Sequence, residues 1–350
     1  MMKKMIRVFA LCFVAATMNS NTALHAEDDF VFPGRSNQSS ILESMRLTID
    51  LSSRMSVNTD SGDVSAAQFM GVDMHKVFSG KKGDWGTAVV QGYVTRIDNQ
   101  KKHPGFFEGP DDWELVYRIV NFNYTALARG RFNIRVGHFE SPYGLEHLIN
   151  TNGTLRDYMH GRNMGVKGDW GVGGNGDFDK LGYEVALSRG SGNAYFSTGN
   201  PYILAGRVGT PRDQRVVTGF SYIVGDIARP GTPRLVLHRT RFGPDIQVHR
   251  GPWSVLGEAS YGRDAGTGVF NGLVELDWHT PRESWLIYTQ TRFFNQVIAT
   301  RWDDAGSALV GVRFAPGGHW AFSAQIGQEL TAFGAAARGG VGSIQIRYRL

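Results

Sequence analysis

Basic residues that alternate with apolar residues are the side chains of this sequence with the clearest chemistry. A guanidinium stays charged at physiological pH and offers forked donors to carboxylate and phosphate groups. A row of such groups along a wall favours anions in the water beside it. Nine basic residues occupy the polar side of alternating stretches: Arg46, Arg118, Arg135, Lys167, Arg207, Arg292, Arg313, Arg347 and Arg349.

Acidic residues occupy the same side of the pattern and leave a second interpretation open. They are Asp50, Glu114, Glu184, Glu258 and Glu275. If the bases pair with these acids across neighbouring strands, they only solvate the wall and select no ion. The excess of base over acid is modest, and it favours a mild anion preference.

Extended strands are the elements that must position these side chains. From residue 43 onward, stretches of about ten residues alternate apolar and polar positions. In the final stretch Ile344, Ile346 and Tyr348 alternate with Arg347 and Arg349. Successive strand residues point to opposite faces, so the pattern predicts amphipathic strands. Tryptophan and tyrosine cluster near the ends of the stretches, which is typical of the aromatic girdles of a membrane barrel.

The first 26 residues have the features of a secretory signal peptide. Lys3, Lys4 and Arg7 precede an apolar run over 8–18 that is too short to span a bilayer as a helix. Their removal lowers the formal net charge from +5 to +2, so the basic character of the sequence is weak evidence for nucleic-acid binding.

Export has two further consequences for the domain organisation. The single cysteine, Cys12, lies within the signal peptide, so the exported chain contains none and must be stable without disulfides. Residues 27–42 are polar and rich in turn formers, and they are expected to form a periplasmic lead-in. Residues 43–350 are expected to form the barrel.

The lengths of the connections bear on the number of strands. A direct count of the stretches gives seventeen, whereas a bacterial barrel with both ends on one side needs an even number. The long connections all fall at the same end of the barrel if the apparent break at Gly243-Pro244, within 234–250, does not separate two strands. The sequence therefore predicts sixteen strands, with fourteen or eighteen as alternatives. The long connections, expected on the outer side, lie near 98–112, 140–161, 188–201, 296–306 and 329–340.

The connection over 140–161 is the longest of these. A sixteen-strand barrel encloses an aqueous lumen, and an early loop of this length that folds inward would narrow it. The alternative is a solvated surface loop. After it, Met164 and Val166 are expected on the apolar side of the strand that carries Lys167. The candidate constriction residues are Tyr143, Glu146, His147, Arg156 and Asp157.

Signals for an enzyme or a cofactor are weak in this sequence. The ten histidines are scattered without metal-ligand spacing. The glycine-rich segment 171–176 reads as a turn and not as a phosphate cradle, since no helix pattern follows it. No local arrangement supports a barrel hydrolase, which stays a minor alternative. We therefore expect no catalytic activity, no metal and no cofactor.

Two segments resemble sequence motifs of a known family. Residues 135–146 (RVGHFESPYGLE) resemble the strand-into-loop signature VGQF-x-x-PFGLE of the phosphate-selective porins of the O and P type. Residues 251–261 (GPWSVLGEASY) resemble the GPFS-x-x-GEY hairpin of the same family. The resemblance implies a sixteen-strand outer-membrane channel, often trimeric, that takes up phosphate or other small anions.

The sequence thus predicts an all-β protein, a transmembrane antiparallel barrel in a Gram-negative outer membrane. The expected function is passive diffusion of small solutes with a mild preference for anions, including phosphate. Expected partners are outer-membrane lipid, lipopolysaccharide, small anionic solutes and a second and third copy of the chain, but not nucleic acid. The alternative is a structural barrel that sheathes or anchors a periplasmic or redox partner.

Overall fold

The described part of the chain forms one closed sheet. The structure, a computed structural model, describes residues 45–350 except 82, 99–112, 150, 152, 159–162, 194–198, 230–231, 283, 299 and 333–338. The predicted signal peptide and lead-in lie outside these residues. Sixteen strands follow one another round the sheet, each antiparallel to the next, and the last pairs with the first. The predicted fold class and strand number are confirmed.

The strands differ widely in length. They are β1 Met45–Asn58, β2 Val64–Gly80, β3 Gly83–Asp98, β4 Glu114–Tyr124, β5 Asn133–Glu140, β6 Gly168–Asp177, β7 Gly182–Ser188, β8 Tyr202–Gly209, β9 Val216–Arg229, β10 Thr232–Arg250, β11 Trp253–Asp264, β12 Thr267–His279, β13 Trp285–Ile298, β14 Arg301–Gly317, β15 Trp320–Thr331 and β16 Gly340–Arg349. Two short 3-10 helices cover Leu127–Gly130 and Glu146–Leu148. Among the described residues, no helix is long and apolar enough to cross a membrane.

The two faces of the sheet follow the alternation of the sequence. On β1 the side chains of Ile49 and Leu51 are exposed on the outside, while Asp50 between them is buried inside. Trp253 and Trp302, about half exposed, stand near opposite ends of the barrel on the outer face. An apolar outer band with aromatic residues at both rims is the surface that a lipid bilayer requires.

The barrel closes between β1 and β16. The N–H of Leu350 donates to the carbonyl of Ile49 at 2.9 Å, and the N–H of Ile49 donates to the carbonyl of Leu350 at 2.7 Å. On the inner face Arg347 forms an ion pair with Asp50, with Nε 2.8 Å from Oδ1. We call this closure, with its backbone and side-chain bonds, the seam.

The segment 234–250 contains no strand break. Pro244 pairs with Phe220 inside the ladder between β9 and β10, and β10 continues to Arg250. Gly243 is required next to it, because a Cβ there would collide with the carbonyl of Ala259. Proline costs the ladder one N–H donor without ending the strand. This continuity is the reason why the count is sixteen and not seventeen.

The longest connections lie at one end of the barrel, and the connections at the other end, which we call the short-turn end, have eight residues or fewer. The segments 141–167, 189–201 and 332–339 all join an odd-numbered strand to the next even-numbered one. The predicted long loop over 296–306 is wrong, since β13 ends at Ile298 and β14 begins at Arg301. Thr300, with a φ of 79°, sits in this tight turn. The polar residues Asp303 and Asp304 belong to β14.

Candidate functional site in the barrel lumen

The described residues of the segment 141–167 between β5 and β6 lie inside the barrel, and we call this segment the inward loop. The hydroxyls of Tyr143 and Ser260 on β11 lie 2.7 Å apart. Towards the middle of the loop, Nη2 of Arg54 on β1 donates to the carbonyl of Thr154 at 2.8 Å. A segment that touches both β11 and β1 crosses the lumen. Of the two alternatives for this connection, an inward fold and a solvated surface loop, the structure contains the inward fold.

One carboxylate holds both feet of the inward loop. Glu258 on β11 accepts from the backbone N–H of Leu145 at 2.7 Å and from Nδ2 of Asn163 at 2.6 Å. Oδ1 of Asn163 accepts in turn from Nδ2 of Asn271 on β12 at 2.7 Å. All four residues are buried. Leaving a buried donor without an acceptor is costly, so the two oxygens of Glu258 fix where the loop begins and ends.

The tip of the inward loop rests on the strands of the seam. Nε2 of Gln345 on β16 donates to the carbonyl of Gly153 at 2.8 Å, next to the bond from Arg54 to Thr154. Gly153 has a φ of 66°, and a Cβ there would collide with the guanidinium of Arg347. The tip is thus closely fitted to the wall opposite its feet.

The returning half of the loop is anchored by acids of β12. Nη1 of Arg156 donates to Glu275 at 2.9 Å and to Asp277 at 3.2 Å. The hydroxyl of Tyr158 donates to Glu275 at 3.0 Å. Burial raises the pKa of Tyr158 well above its usual value, so the phenol stays a donor. These contacts turn two wall acids towards the loop and away from the open lumen.

Two apolar residues near the end of the loop correct the sequence interpretation. Met164 and Val166 were expected on the lipid side of a strand, but they are fully buried against Ile203 and Ile223 on the inner wall. The reason is that β6 begins only at Gly168, so these residues belong to the loop. Apolar side chains there pack the loop against inward-facing apolar positions of β8 and β9.

The basic residues expected on the inner wall are largely engaged with acids. Arg46 lies opposite His75 and Arg313 opposite the buried Leu286, which places both on the lumen side, and both make further contacts. Lys167 is the last residue of the loop and not a strand residue. At least seven of the nine form ion pairs: Arg118–Glu140, Arg135–Glu184, Lys167–Glu146, Arg207–Asp245, Arg292–Asp157, Arg347–Asp50 and Arg349–Asp73.

Most of these pairs present their basic member to the lumen. The side chain of Arg349 is 33% exposed and that of its partner Asp73 is 1% exposed. Arg135 is 21% exposed and Glu184 is 9% exposed. The pairs of Arg156, Lys167 and Arg347 are ordered in the same way. A solute in the lumen therefore meets guanidinium and ammonium groups before carboxylates.

In three pairs the acid is more exposed than the base. Asp157 in the inward loop is 63% exposed, whereas its partner Arg292 on β13 is 22% exposed. Asp264 is 15% exposed, whereas its partners Arg239 and Arg241 are 12% exposed and fully buried. Asp157 is thus the acidic member most open to the lumen among the described ion pairs of the inner wall and loop.

The five candidate constriction residues occupy different places in the loop. Tyr143 is buried at its foot, where burial raises the pKa of the phenol, while Glu146 is buried against Lys167. His147 contacts Glu184 on β7, with Nε2 2.9 Å from Oε2. Arg156 and Asp157 reach β12 and β13 in the ways described above. All five therefore contact the inner wall or the loop base.

Sequence reasoning missed several residues that hold the loop. Arg54 stands on β1 with the same parity as Arg46 and Asp50, so extending the alternation beyond Leu51 would have found it. No sequence signal pairs Glu258 with Asn163, because their contact depends on the course of the loop. Among the described residues, no group of three or more histidine, cysteine or acidic side chains is placed to hold a metal.

Comparison with known proteins identifies the fold. No family model and no curated protein sequence matches this chain. Among solved structures, the chain is similar to the anion-selective porin from Comamonas acidovorans, with a TM-score of 0.63 and 10% identity over 88% of this chain and 99% of that one. It is similar to OprB of Pseudomonas putida, with a TM-score of 0.63 and 8% identity over 88% and 94%. It is also similar to a trimer form of OmpT, an outer-membrane protein of Vibrio cholerae, with a TM-score of 0.59 and 10% identity over 87% and 99%. The chain has the fold of outer-membrane porins.

Proposed function

We propose that this protein is an outer-membrane porin through which small solutes diffuse passively, with a lumen narrowed by the inward loop and a mild preference for anions. The closed barrel with an apolar outer face supports the channel, as does its likeness to porin structures. The unequal exposure of the lumen ion pairs is the observation that carries the selectivity.

The member of each ion pair that water reaches determines the sign of the field in the lumen. An ion in the lumen interacts most strongly with charges that it approaches closely, because salt and water screen the more distant ones. Buried carboxylates such as Asp73 and Glu275 lie behind their basic partners, so their field is partly cancelled where a solute passes. The preference is mild, since nearly every base is still paired.

Phosphate alone is a more specific alternative to small anions in general as the transported solute. The resemblance of residues 135–146 and 251–261 to phosphate-selective porins favours it. The commitment of most lumen bases to carboxylates favours a general anion channel instead. We therefore rank small anions as a class above phosphate alone.

The same proposal covers location, partners and chemistry. The expected signal peptide and the apolar outer face favour the Gram-negative outer membrane, with lipid and lipopolysaccharide around the barrel. The trimer form of the similar Vibrio cholerae protein favours a homotrimer. A passive channel needs no catalytic residue and no cofactor.

Reversal potentials in a planar bilayer under a potassium chloride gradient test this proposal. The expected result is a potential of the sign that indicates anions, reduced when Arg349 is replaced with glutamine. The conservative Arg349→Lys variant keeps the exposed charge and should retain the preference. Clear cation selectivity of the wild-type channel would refute the anion preference.

A closed structural barrel is the second candidate, because the first residues of the inward loop, 141–146, are all buried and its tip reaches the opposite wall. Such a barrel would sheathe or anchor a periplasmic partner without conducting. An absence of conductance by correctly folded protein, together with stable co-purification of a periplasmic or redox protein, would favour it over the channel.

A further inference from the structure

Four separate parts of the chain bring three basic side chains to one carboxylate near the short-turn end of the lumen. Nη1 of Arg135 on β5 donates to Oε1 of Glu184 on β7 at 2.5 Å. Nε2 of His147 in the inward loop lies 2.9 Å from Oε2 of the same carboxylate. Nη2 of Arg212, in the turn 210–215 between β8 and β9, lies 3.5 Å from Oε2 and 3.0 Å from Nε2 of His147.

The charges of this group do not cancel. Two permanently charged guanidinium groups share the single carboxylate of Glu184, which leaves one positive charge even with a neutral imidazole. The neighbouring Arg207 is held by Asp245 through bonds of 2.9 and 2.6 Å, so that pair is neutral by itself. Asp177 attracts Arg212 from a distance, but it is exposed at the rim, where water screens it, and it forms no ion pair with either guanidinium.

The hydrogen bonds leave donors as well as charge in excess. Arg212 can only donate and Glu184 can only accept, so Nε2 of His147 serves one of them at a time. The tautomer with its proton on Nε2 satisfies the buried carboxylate, and Nη2 of Arg212 then faces a nitrogen that already carries a proton. Nδ1 of His147 is buried and has no hydrogen-bond partner in the structure. The side chain of Arg212 is 56% exposed, so its donors are open to the lumen.

We propose that Arg135, His147 and Arg212 form a binding subsite for a small solute that carries a carboxylate or phosphate group. Such an oxyanion accepts forked donors from Arg212 and neutralises the surplus charge beside Glu184, whereas chloride offers no such paired geometry. The subsite rests on the proposed function, and it would bind solutes with a carboxylate or phosphate group during their passage through the lumen. It lies where the inward loop meets the short-turn end, so a solute leaving the narrowed section reaches it.

Calorimetric titration of the purified, folded barrel in detergent with inorganic phosphate, succinate and chloride tests the subsite. Phosphate and succinate should bind saturably in the millimolar range, and chloride should not. Arg212→Ala should weaken phosphate binding about tenfold, as expected for one charge-assisted contact. Arg212→Lys keeps the charge but loses the forked donors, so its affinity for phosphate should lie between those of the wild type and Arg212→Ala. The matched control is Arg250→Ala, an exposed arginine at the same end that forms no ion pair with the described residues.

The folded state of each variant is checked by the heat-dependent mobility of the barrel in gel electrophoresis. Equal phosphate affinity in wild type and the Arg212→Ala variant, or no saturable binding by the wild type, would overturn the subsite. Planar-bilayer conductance separates this outcome from the fate of the proposed function. A barrel that conducts but binds neither phosphate nor succinate would refute the subsite and support the channel. A barrel that binds these anions but does not conduct would support the subsite and refute the channel.

Discussion

Replacing Glu258 with glutamine tests whether one side chain holds the inward loop in place. The wild-type carboxylate accepts from Leu145 at one foot of the loop and from Asn163 at the other. A glutamine keeps one oxygen for the N–H of Leu145 but places an amide NH2 opposite Nδ2 of Asn163. Asn163 cannot simply rotate its amide, because its Oδ1 already accepts from Asn271.

The size of the effect follows from the bond that is lost. Leaving the buried amide donor of Asn163 without its acceptor costs about 1–3 kcal/mol. The ratio of docked to undocked loop should therefore fall by about 5-fold to 150-fold. Asp245 lies opposite Glu258 in the register of β10 and β11, so replacing one of two neighbouring acids with an amide offsets part of this loss. We accordingly expect the lower end of the range.

Single-channel recording is the most direct assay. The Glu258→Gln channel should show frequent transitions to a state of higher conductance, because an undocked loop no longer narrows the lumen. Limited trypsin digestion should cleave after Arg156 faster than in the wild type, since cleavage requires the loop to leave the wall. Both changes should be larger for Glu258→Ala, which removes both bonds.

Glu329→Gln is the matched control for this experiment. Glu329 is exposed on β15, and its carboxylate makes no hydrogen bond or ion pair with the described residues. It should leave conductance transitions and digestion unchanged. If the Glu258→Gln channel keeps wild-type noise and resists trypsin equally, then Glu258 does not hold the loop and the reasoning from its two bonds is refuted.

Three further predictions concern single groups. Asp157→Asn removes the most exposed acid of the lumen ion pairs and should raise the anion-to-cation permeability ratio about twofold, measured from reversal potentials. A lower ratio would contradict the interpretation that Asp157 is the acid most open to the lumen. Arg347→Met leaves Asp50 buried without its main partner and should lower the free energy of unfolding by about 3–5 kcal/mol in urea titrations, with a smaller loss when Asp50→Asn is added. Because burial raises the pKa of Tyr143 and Tyr158, the stability these neutral phenols contribute is intact below pH of about 10 and is lost as the pH rises further. Absorbance titration should show at least two fewer tyrosines ionising near pH 10 than in the denatured chain, and normal ionisation of Tyr143 and Tyr158 would contradict their burial.

Much of the fold could be predicted because strand alternation is a local property. Ile344, Ile346 and Tyr348 show the outer face of β16 without any knowledge of its neighbours. The parity of the connections then identified the spurious break at Gly243-Pro244. An amphipathic strand and an even strand count are constraints that a single sequence expresses directly.

The course of the inward loop and the pairing of the lumen charges could not be predicted in the same way. Whether Arg207 faces Asp245 or open water depends on the positions of β8 and β10, which are separated by another strand. Met164 and Val166 continued the alternation of the next strand, although they pack inside. An apolar residue that faces lipid and one that packs a loop against the inner wall look identical in a sequence. The turn at Thr300 was missed because Asp303 and Asp304, which belong to β14, resemble loop residues in the sequence.

The seam also constrains how the barrel folds. Asp50 and Arg347 are 297 positions apart, and their contact forms only when every strand between them is in place. Closing so long a segment is entropically costly and slow, and until then the partial sheet exposes two unpaired strand edges. Such edges promote aggregation in water. We therefore expect the barrel to close late and in a concerted step. Until β1 and β16 pair, we expect the exported chain to need a chaperone that covers its extended strands.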